Sequence, residues 1–356
     1  MSDVKSKRRI VLTGGGTAGH VMPNLALLPE LKRRGFEVFY IGSKGIEKQL
    51  IQKEKLPFFE VQCGKLRRYV SFENTVDIFR VLIGIFQSVV LMLRIRPTVV
   101  FSKGGFVAVP VAISAALCRV PVVSHESDVT PGLANRIIAK FAKLILYSFP
   151  ETKDFLPSVR SEQVPAPIRD DLLTGSRKNG LAFCGFHSER PTLLVMGGSQ
   201  GAQRLNEFLL TILPELVKTM QVIHLTGMGK AIGFVDPHYK SFEFVGDQLK
   251  DVFAATDFVV TRAGANSIFE MLALNIPMLL VPLEVGSRGD QIVNANSFVA
   301  SGWALSVRES SLTADLFLAS IQKLVQESDV IRAKQAKASG RSSSARIVEL
   351  IESVSL

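Results

Sequence analysis

Five histidines and three cysteines leave few side chains in this chain of 356 residues that can move protons near neutral pH or bind a soft metal. His20 has the most suggestive setting. It ends the run Gly14-Gly15-Gly16-Thr17-Ala18-Gly19-His20, which follows the apolar stretch Ile10-Val11-Leu12-Thr13 and leads into a helical pattern. Glycines let backbone approach a ligand closely, and a helix N-terminus offers N–H groups to negative charge. An imidazole at that place adds a proton carrier. The run lacks the Lys-Ser/Thr ending of a Walker A loop, and no acidic residue ends the second strand where a dinucleotide's ribose would be read. Helix–sheet packing alone is the competing explanation for such glycines. A second glycine turn, Ser102-Lys103-Gly104-Gly105-Phe106, tips the balance towards a phosphate-bearing ligand.

His125 and Glu126 stand where another strand leaves the sheet, ahead of Thr130-Pro131-Gly132-Leu133-Ala134-Asn135. They read equally as an acid/base pair or as a carboxylate capping the next helix, because neighbouring side chains on a strand point apart. His224 lies inside an apolar run and reads as structural, while His187 and His238 fall in polar loops. Farther on, Arg262-Ala263-Gly264-Ala265-Asn266-Ser267-Ile268-Phe269-Glu270 is a third turn opening a helix. Its small polar residues suit a phosphate, and Glu270, one turn in, can accept both hydroxyls of a ribose. The alternative is a carboxylate that merely complements the helix dipole, worth about 0.3–1 kcal/mol. Gln291 and Asn294, three apart, present amides suited to sugar hydroxyls or simply to solvent.

The elements that must carry these groups are legible as short apolar runs alternating with helical stretches. Strands are expected at Arg9–Thr13, Val38–Ile41, Val99–Ser102, Val120–His125 and Leu144–Tyr147, with helices at Asn24–Arg34, Asn74–Leu93 and Pro110–Leu117. The pattern then restarts. Thr192–Met196, the glycine loop Gly197–Ala202 and a helix Arg204–Lys218 are followed by strands at Val222–Thr226, Phe258–Thr261 and Met278–Val281. Two glycine-looped halves predict two Rossmann-like α/β domains facing a cleft, joined near Val164-Pro165-Ala166-Pro167, with a short amphipathic helix, Ala345–Ser353, near the end. The length agrees, since single cores seldom exceed roughly 250–300 residues.

A formal charge of +10 favours an anionic partner. No RNA-recognition or zinc-finger pattern is present, so no nucleic acid is expected. Cys63, Cys118 and Cys184 are odd in number and far apart, which predicts neither a disulfide framework nor a zinc site, and the charged start before a three-residue apolar run predicts a cytoplasmic protein. Val81–Leu93 is apolar around more of a helix than one buried face needs. Thirteen helical residues reach only about 20 Å, short of a bilayer core. With Lys65, Arg67, Arg68, Arg80, Arg94 and Arg96 around it, the stretch fits an anionic membrane surface, with Ile85 and Phe86 as contacts; a helix buried in the core is the alternative.

Taken together, Gly14–His20, Ser102–Pro110, His125–Asn135, Gly197–Ala202, Arg262–Glu270 and Arg288–Ala295 resemble the MurG family, the bacterial UDP-N-acetylglucosamine:lipid I N-acetylglucosaminyltransferases, in the family's order and over essentially the whole chain. The resemblance implies a GT-B fold of two Rossmann-like domains facing a deep cleft. Residues 1–164 would form the acceptor and membrane-docking domain and 165–340 the UDP-N-acetylglucosamine domain, with the helix of 341–356 crossing back onto the first. The implied reaction is inverting transfer of N-acetylglucosamine to the C4 hydroxyl of the muramyl sugar of lipid I, giving lipid II for peptidoglycan synthesis, at the cytoplasmic face of the membrane.

His20 would be the base, with Glu126 as a second catalytic candidate. Thr17, Ala18 and Gly19 would meet donor or acceptor diphosphate, and Asp128 and Asn135 would be substrate-binding. Arg169, Ser199, Val245, the run Ala265, Asn266, Ser267, Ile268, Phe269 and Glu270, and Gln291 with Asn294 would hold the donor. Val245 would meet uracil through its backbone, Ser199 a phosphate, Glu270 the ribose and Gln291 the sugar. Asp128 stands where enterobacterial members usually have asparagine, and Pro165-Ala166 replaces Gly-Asn before Pro167-Ile168-Arg169. No cofactor is implied, and without an Asp-x-Asp cluster the transfer is expected to need no metal. The rival readings are a UDP-N-acetylglucosamine 2-epimerase, a non-catalytic scaffold binding nucleotide-sugar or lipid, and a nicotinamide-dependent dehydrogenase.

Overall fold

The computed structural model describes residues 8–64, 72–187, 189–197, 202–231, 233–285, 289–338 and 343–355. The chain divides into two compact units, Met1–Ile168 with Ser342–Leu356, and Arg169–Arg341.

In the first unit the chain runs through β1 (Arg9–Thr13), α1 (Ala18–Ala26), α2 (Leu28–Arg33), β2 (Glu37–Gly42), α3 (Ile46–Lys53), β3 (Phe58–Glu60) and α4 (Phe72–Ile95). It continues through β4 (Val99–Ser102), α5 (Ala108–Leu117), β5 (Val122–Glu126), α6 (Leu133–Ile138), β6 (Leu144–Tyr147) and β7 (Ser161–Gln163). The seven strands form one parallel sheet in the order β3-β2-β1-β4-β5-β6-β7. Its order reverses between β1 and β4, where open α/β sheets bind ligands beyond their strand ends. The central strands are buried on both faces, which is why they read as unbroken apolar runs. The helix expected over Asn24–Arg34 is two, α1 and α2, because Pro29 near the start of α2 has no N–H for the helical ladder.

The second unit contains α7 (Arg177–Cys184), β8 (Thr192–Met196), α8 (Gln203–Thr219), β9 (Gln221–Leu225), β10 (Tyr239–Phe242), α9 (Leu249–Ala255) and β11 (Phe258–Thr261). After these come α10 (Ala265–Ala273), β12 (Met278–Leu280), α11 (Asp290–Ala300), β13 (Ala304–Ser306), α12 (Ala314–Gln326) and α13 (Ser328–Ala338). Its parallel sheet has the order β10-β9-β8-β11-β12-β13, again reversing beside its first strand.

The last helix, α14 (Ser343–Ser355), belongs to the first unit. Ile347, Val348, Leu350, Ile351 and Val354 join the core formed by Ile10, Leu12, Leu27 and Leu31. Full burial of one such aliphatic side chain contributes about 1.5–3 kcal/mol. Polar contacts fix the same docking. Glu352 pairs with Arg8 at 2.7 Å and with Arg34, and Ser343 Oγ donates to the Ala166 carbonyl at 3.0 Å.

Candidate active site

Both glycine turns of the first unit leave the sheet at its reversal point. The turn after β1 is held from within: Tyr40 OH donates to the Gly14 carbonyl at 2.6 Å, and Asn24 Nδ2 donates to Thr13 O and to Tyr40 OH, each at 3.2 Å. Glu47, fully buried, accepts from Gly16 N at 3.5 Å, from Ser43 N at 3.0 Å and from Ser43 Oγ. The turn after β4 uses left-handed backbone, with φ of +89° at Gly104 and +80° at Gly105. A Cβ on Gly105 would lie 2.5 Å from the Gly15 carbonyl, so the two turns touch backbone to backbone. Sequence reading missed Asn24, Tyr40 and Glu47, whose spacing carries no motif.

Thr17 is the N-cap of α1 in extended backbone, and Ala18 and Gly19 follow in its first turn. Amides of a first turn have no i−4 carbonyl inside the helix, the feature that makes such termini anion sites. Thr17 Oγ1 lies 3.0 Å from His20 Nδ1, and the half-exposed His20 is thereby fixed in orientation.

Glu126 ends β5 and is almost fully buried. Its Oε1 accepts from Ser127 N at 2.8 Å and Asp128 N at 3.0 Å, and its Oε2 accepts from Gly132 N at 3.2 Å and Asn135 Nδ2 at 2.7 Å. Burial, then the charge of Asp128, pushes its pKa up, while these hydrogen bonds and Lys103 pull it down. Of the two sequence readings, the geometry is that of a carboxylate organising the turn before α6. Asp128 is half-buried on that turn, and Thr152 Oγ1 donates to its carbonyl at 3.2 Å. Asn135 crosses to the second glycine turn, since a Cβ on Gly104 would fall 2.3 Å from its Oδ1. Beside Glu126 and Asn135 opens a cavity of about 490 Å³ that Arg136, Lys140 and Asp154 also line, large enough for a sugar- or peptide-sized group. His125 is fully buried rather than at the ligand edge, and burial holds its pKa well below the usual value.

In the second unit the turn after β11 is held by two buried side chains. Arg262 donates from Nη1 to Val281 O at 3.1 Å and from Nη2 to Glu309, while Asn294 Nδ2 donates to Ala263 O at 3.2 Å. Asn294 is fully buried, so the sequence expectation of an amide offered to a sugar gives way to an internal brace. Within the run opening α10, Ala265, Ile268 and Phe269 turn their side chains into the core, and Phe269 packs edge-on against Phe298. That leaves a ligand the backbone of the turn and the half-buried Asn266, Ser267 and Glu270.

Burial pushes the Glu270 carboxyl up to about 7, with Arg169 pulling down and Asp171 pushing up. Arg169 Nε sits 3.7 Å from Asp171 Oδ1, so these three charges form one neighbourhood. Val245 has its side chain buried. Gln291 Oε1 accepts from Leu283 N at 2.9 Å, which ties α11 to the loop after β12. Ser199, most of the loop Gly197–Ala202 around it, and Arg288 lie outside the described residues. His224 is structural: its ring nitrogens face Tyr239 OH at 3.0 Å and Asn206 Oδ1 at 3.1 Å, and burial lowers its pKa to about 4. Among the described residues no three His, Cys, Asp or Glu side chains gather as metal ligands would.

The helix expected at Asn74–Leu93 is α4, 24 residues and about 36 Å long, and it contains the apolar run Val81–Leu93. Its portion Asp77–Ile95 has mean hydropathy 2.0 and by length and composition alone is enough to cross a membrane. One face is nevertheless packed on the first unit: Ser88, Met92 and Ile95 are buried, and Ser114 Oγ on α5 donates to Ile85 O at 2.9 Å. The opposite face exposes Ile78, Phe79, Leu82, Ile83, Phe86, Val90 and Leu93, with Phe86 71% exposed. Phe86 is thus on the outer face, whereas Ile85 is half-buried at its edge. Arg80, Arg94 and Arg96 are exposed nearby in the sequence; Lys65, Arg67 and Arg68 lie outside the described residues.

Comparison with known proteins follows the same division. Residues 10–147 match the glycosyltransferase family 28 N-terminal domain and residues 192–351 its C-terminal domain. A protein of Lachnospira eligens named UDP-N-acetylglucosamine–N-acetylmuramyl-(pentapeptide) pyrophosphoryl-undecaprenol N-acetylglucosamine transferase is 48% identical over 349 residues, covering 97% of this chain and 99% of that one. One of the same name from Clostridium perfringens is 46% identical over 323 residues, covering 89% and 90%. Among solved structures, Acinetobacter baumannii MurG superposes with a TM-score of 0.75 at 23% identity over 97% of this chain and 99% of that one. The calicheamicin glycosyltransferase CalG4 does so at 0.70 and 16% identity over 98% of each chain. The fold is GT-B, built from two parallel-sheet α/β domains. The chain belongs to glycosyltransferase family 28, and within it to the MurG family.

Proposed function

We infer that the protein transfers N-acetylglucosamine from UDP-N-acetylglucosamine to the C4 hydroxyl of the N-acetylmuramyl sugar of lipid I, forming lipid II for peptidoglycan synthesis and hence for cell shape and division. The observation that carries this reading is identity of 48%, over nearly the full length of both chains, to a transferase of that name. The first unit receives the lipid acceptor and the second the nucleotide-sugar.

In this mechanism the acceptor O4 attacks the anomeric carbon as its proton passes to His20 Nε2. The bond from that carbon to the UDP oxygen breaks with inversion, and UDP leaves with the electron pair. Nδ1–H donating to Thr17 Oγ1 leaves the lone pair on Nε2, and general-base help of this kind gives about 10²–10⁴-fold. The first turn of α1, with Thr17, Ala18 and Gly19, meets diphosphate. Glu126 shapes the turn that presents Asp128 and Asn135 to the acceptor. For the donor, the backbone of Ala265–Phe269 and Ser199 offset the charge growing on UDP. Glu270 accepts from the ribose hydroxyls, Arg169 adds positive charge beside it, Val245 meets uracil through backbone, and the Gln291 amide nitrogen reaches the sugar.

The exposed face of α4 rests on the anionic cytoplasmic surface of the membrane and makes the enzyme peripheral. An apolar row with flanking arginines supports this. Incubation of the purified protein with UDP-N-acetylglucosamine and a lipid I analogue, followed by mass spectrometry, should give UDP and the disaccharide-bearing lipid. Absence of product across detergents, or appearance of the manno epimer from donor alone, would overturn the assignment.

A further inference from the structure

Glu47 stands in the first turn of α3, yet its side chain is fully buried. Its Oε1 accepts from Ser43 N at 3.0 Å and from Ser43 Oγ, and its Oε2 accepts from Gly16 N at 3.5 Å. Using both oxygens as acceptors, the carboxyl group joins the turn after β2 to the turn after β1, across 31 residues of sequence. Glycines make the room for it. A Cβ on Gly15 would lie 2.6 Å from Oε1, and one on Gly45 2.6 Å from Oε2. The second glycine turn closes on the same peptide: a Cβ on Gly105 would fall 2.5 Å from the Gly15 carbonyl, and one on Gly16 2.7 Å from Phe106 Cε1. Thr17 follows at once, and its Oγ1 is the atom 3.0 Å from His20 Nδ1.

We propose that Glu47 is a positioning residue for the transfer: its carboxyl group, wedged between Gly15 and Gly45, fixes the Gly15–Gly16 peptide and through it the direction in which Thr17 aims the His20 ring. The proposal rests on His20 serving as the base of the transfer. Glu47 itself touches no substrate, because it is enclosed in the fold. A base must meet the acceptor hydroxyl within hydrogen-bond reach, and a misplacement of about 1 Å can cost about 10²-fold. The glycines at 15 and 45 answer the same demand, since a methyl at either place would drive the carboxyl group from its seat.

The test is made on the full-length protein. E47Q keeps the volume and one acceptor oxygen but turns an amide N–H2 towards Gly16 N or Ser43 N. Its kcat should fall at least about tenfold, while the donor KM and the UDP affinity measured by calorimetry stay within about twofold. G45A places a methyl against the Glu47 carboxyl group from a turn of extended backbone outside the proposed site, and it should lower kcat about fivefold. In an E47A background, where nothing is left for that methyl to displace, G45A should change kcat by less than about twofold. G45A keeps the carboxyl group and reads the same quantities if E47Q does not fold. Histidine NMR supplies a readout free of turnover: the His20 ring signal, identified by its loss in H20A, should shift in E47Q, while that of His224 in the second unit stays. Wild-type protein that transfers no sugar, with a His20 signal that still moves in E47Q, would overturn the transferase reading and leave the hold of Glu47 on the turn standing. Undiminished kcat in E47Q and G45A, or an E47Q variant whose donor KM and UDP affinity deteriorate along with kcat, would overturn the role of Glu47. So would a G45A effect of the same size with and without the Glu47 side chain.

Discussion

Thr17 Oγ1 and His20 Nδ1 lie 3.0 Å apart across the first turn of α1, so the N-cap of the helix also aims the imidazole. A base needs its lone pair presented in one direction, and a hydrogen bond on the other ring nitrogen supplies that. His20→Ala should lower kcat by about 10²–10⁴-fold. UDP binding measured by calorimetry should stay within a factor of about two, because the proposed function assigns the donor to the second unit. Thr17→Val keeps the ring and loses its orientation, so a smaller fall in kcat is expected. Wild-type turnover in His20→Ala would remove it as the base.

Glu270 has its carboxyl pushed up to about 7, mainly by burial. A carboxyl whose folded pKa exceeds its unfolded one favours the fold at low pH and loses that contribution as pH rises towards 7. In the proposed role of Glu270, ligand binding runs the other way, since accepting both ribose hydroxyls needs the ionised form. UDP affinity should therefore rise about tenfold between pH 6 and pH 8, following the ionised fraction, and then level off. Glu270→Gln should flatten that dependence. Parallel pH profiles in the two proteins would show that another group controls binding.

Phe79 and Phe86 stand on the exposed face of α4, whereas Ile85 is half-buried against the first unit. Phe79→Ser with Phe86→Ser should weaken co-sedimentation with anionic liposomes by at least about tenfold, given the transfer energy of two aromatic side chains. The melting temperature should hardly move. Ile85→Ser should instead cost about 1–3 kcal/mol of stability. Undiminished liposome binding by the double phenylalanine variant would rule this face out as the docking surface.

Arg262 and Glu309 form a buried ion pair, with Arg204 Nη1 at 3.9 Å from the other Glu309 oxygen. Removing one partner strands the other in the interior, so Arg262→Met should cost about 3–5 kcal/mol in urea unfolding. The same change frees Val281 O and the turn at Ala263, so UDP affinity should fall in whatever fraction remains folded. A loss below about 1 kcal/mol would mean that water reaches Glu309 and replaces the arginine.

How much of this was legible in the residues follows from where each element sits. Arg9–Thr13, Val99–Ser102, Leu144–Tyr147, Thr192–Met196 and Phe258–Thr261 are strands with the bounds read from sequence, because a strand covered on both faces is a nearly continuous apolar run. The edge strands Phe58–Glu60, Ser161–Gln163 and Ala304–Ser306 gave no such signal: each has three residues and is only partly buried. The glycine turns were legible for a local reason too, since left-handed backbone at Gly16, Gly104 and Gly105 favours that residue type.

The sequence by itself therefore determined the two α/β halves, the turns at their strand ends and the family. Only the tertiary structure decided which polar groups brace the fold and which stay partly exposed at the turns. Asn294 serves Ala263 from 31 residues away, Arg262 meets Glu309 across 47, and Lys103 finds His125 across 22. Whether a side chain is solvated or buried depends on elements that arrive from elsewhere in the chain. Residue type and spacing do not encode that, so Glu126 kept two readings until four donors were found on its oxygens.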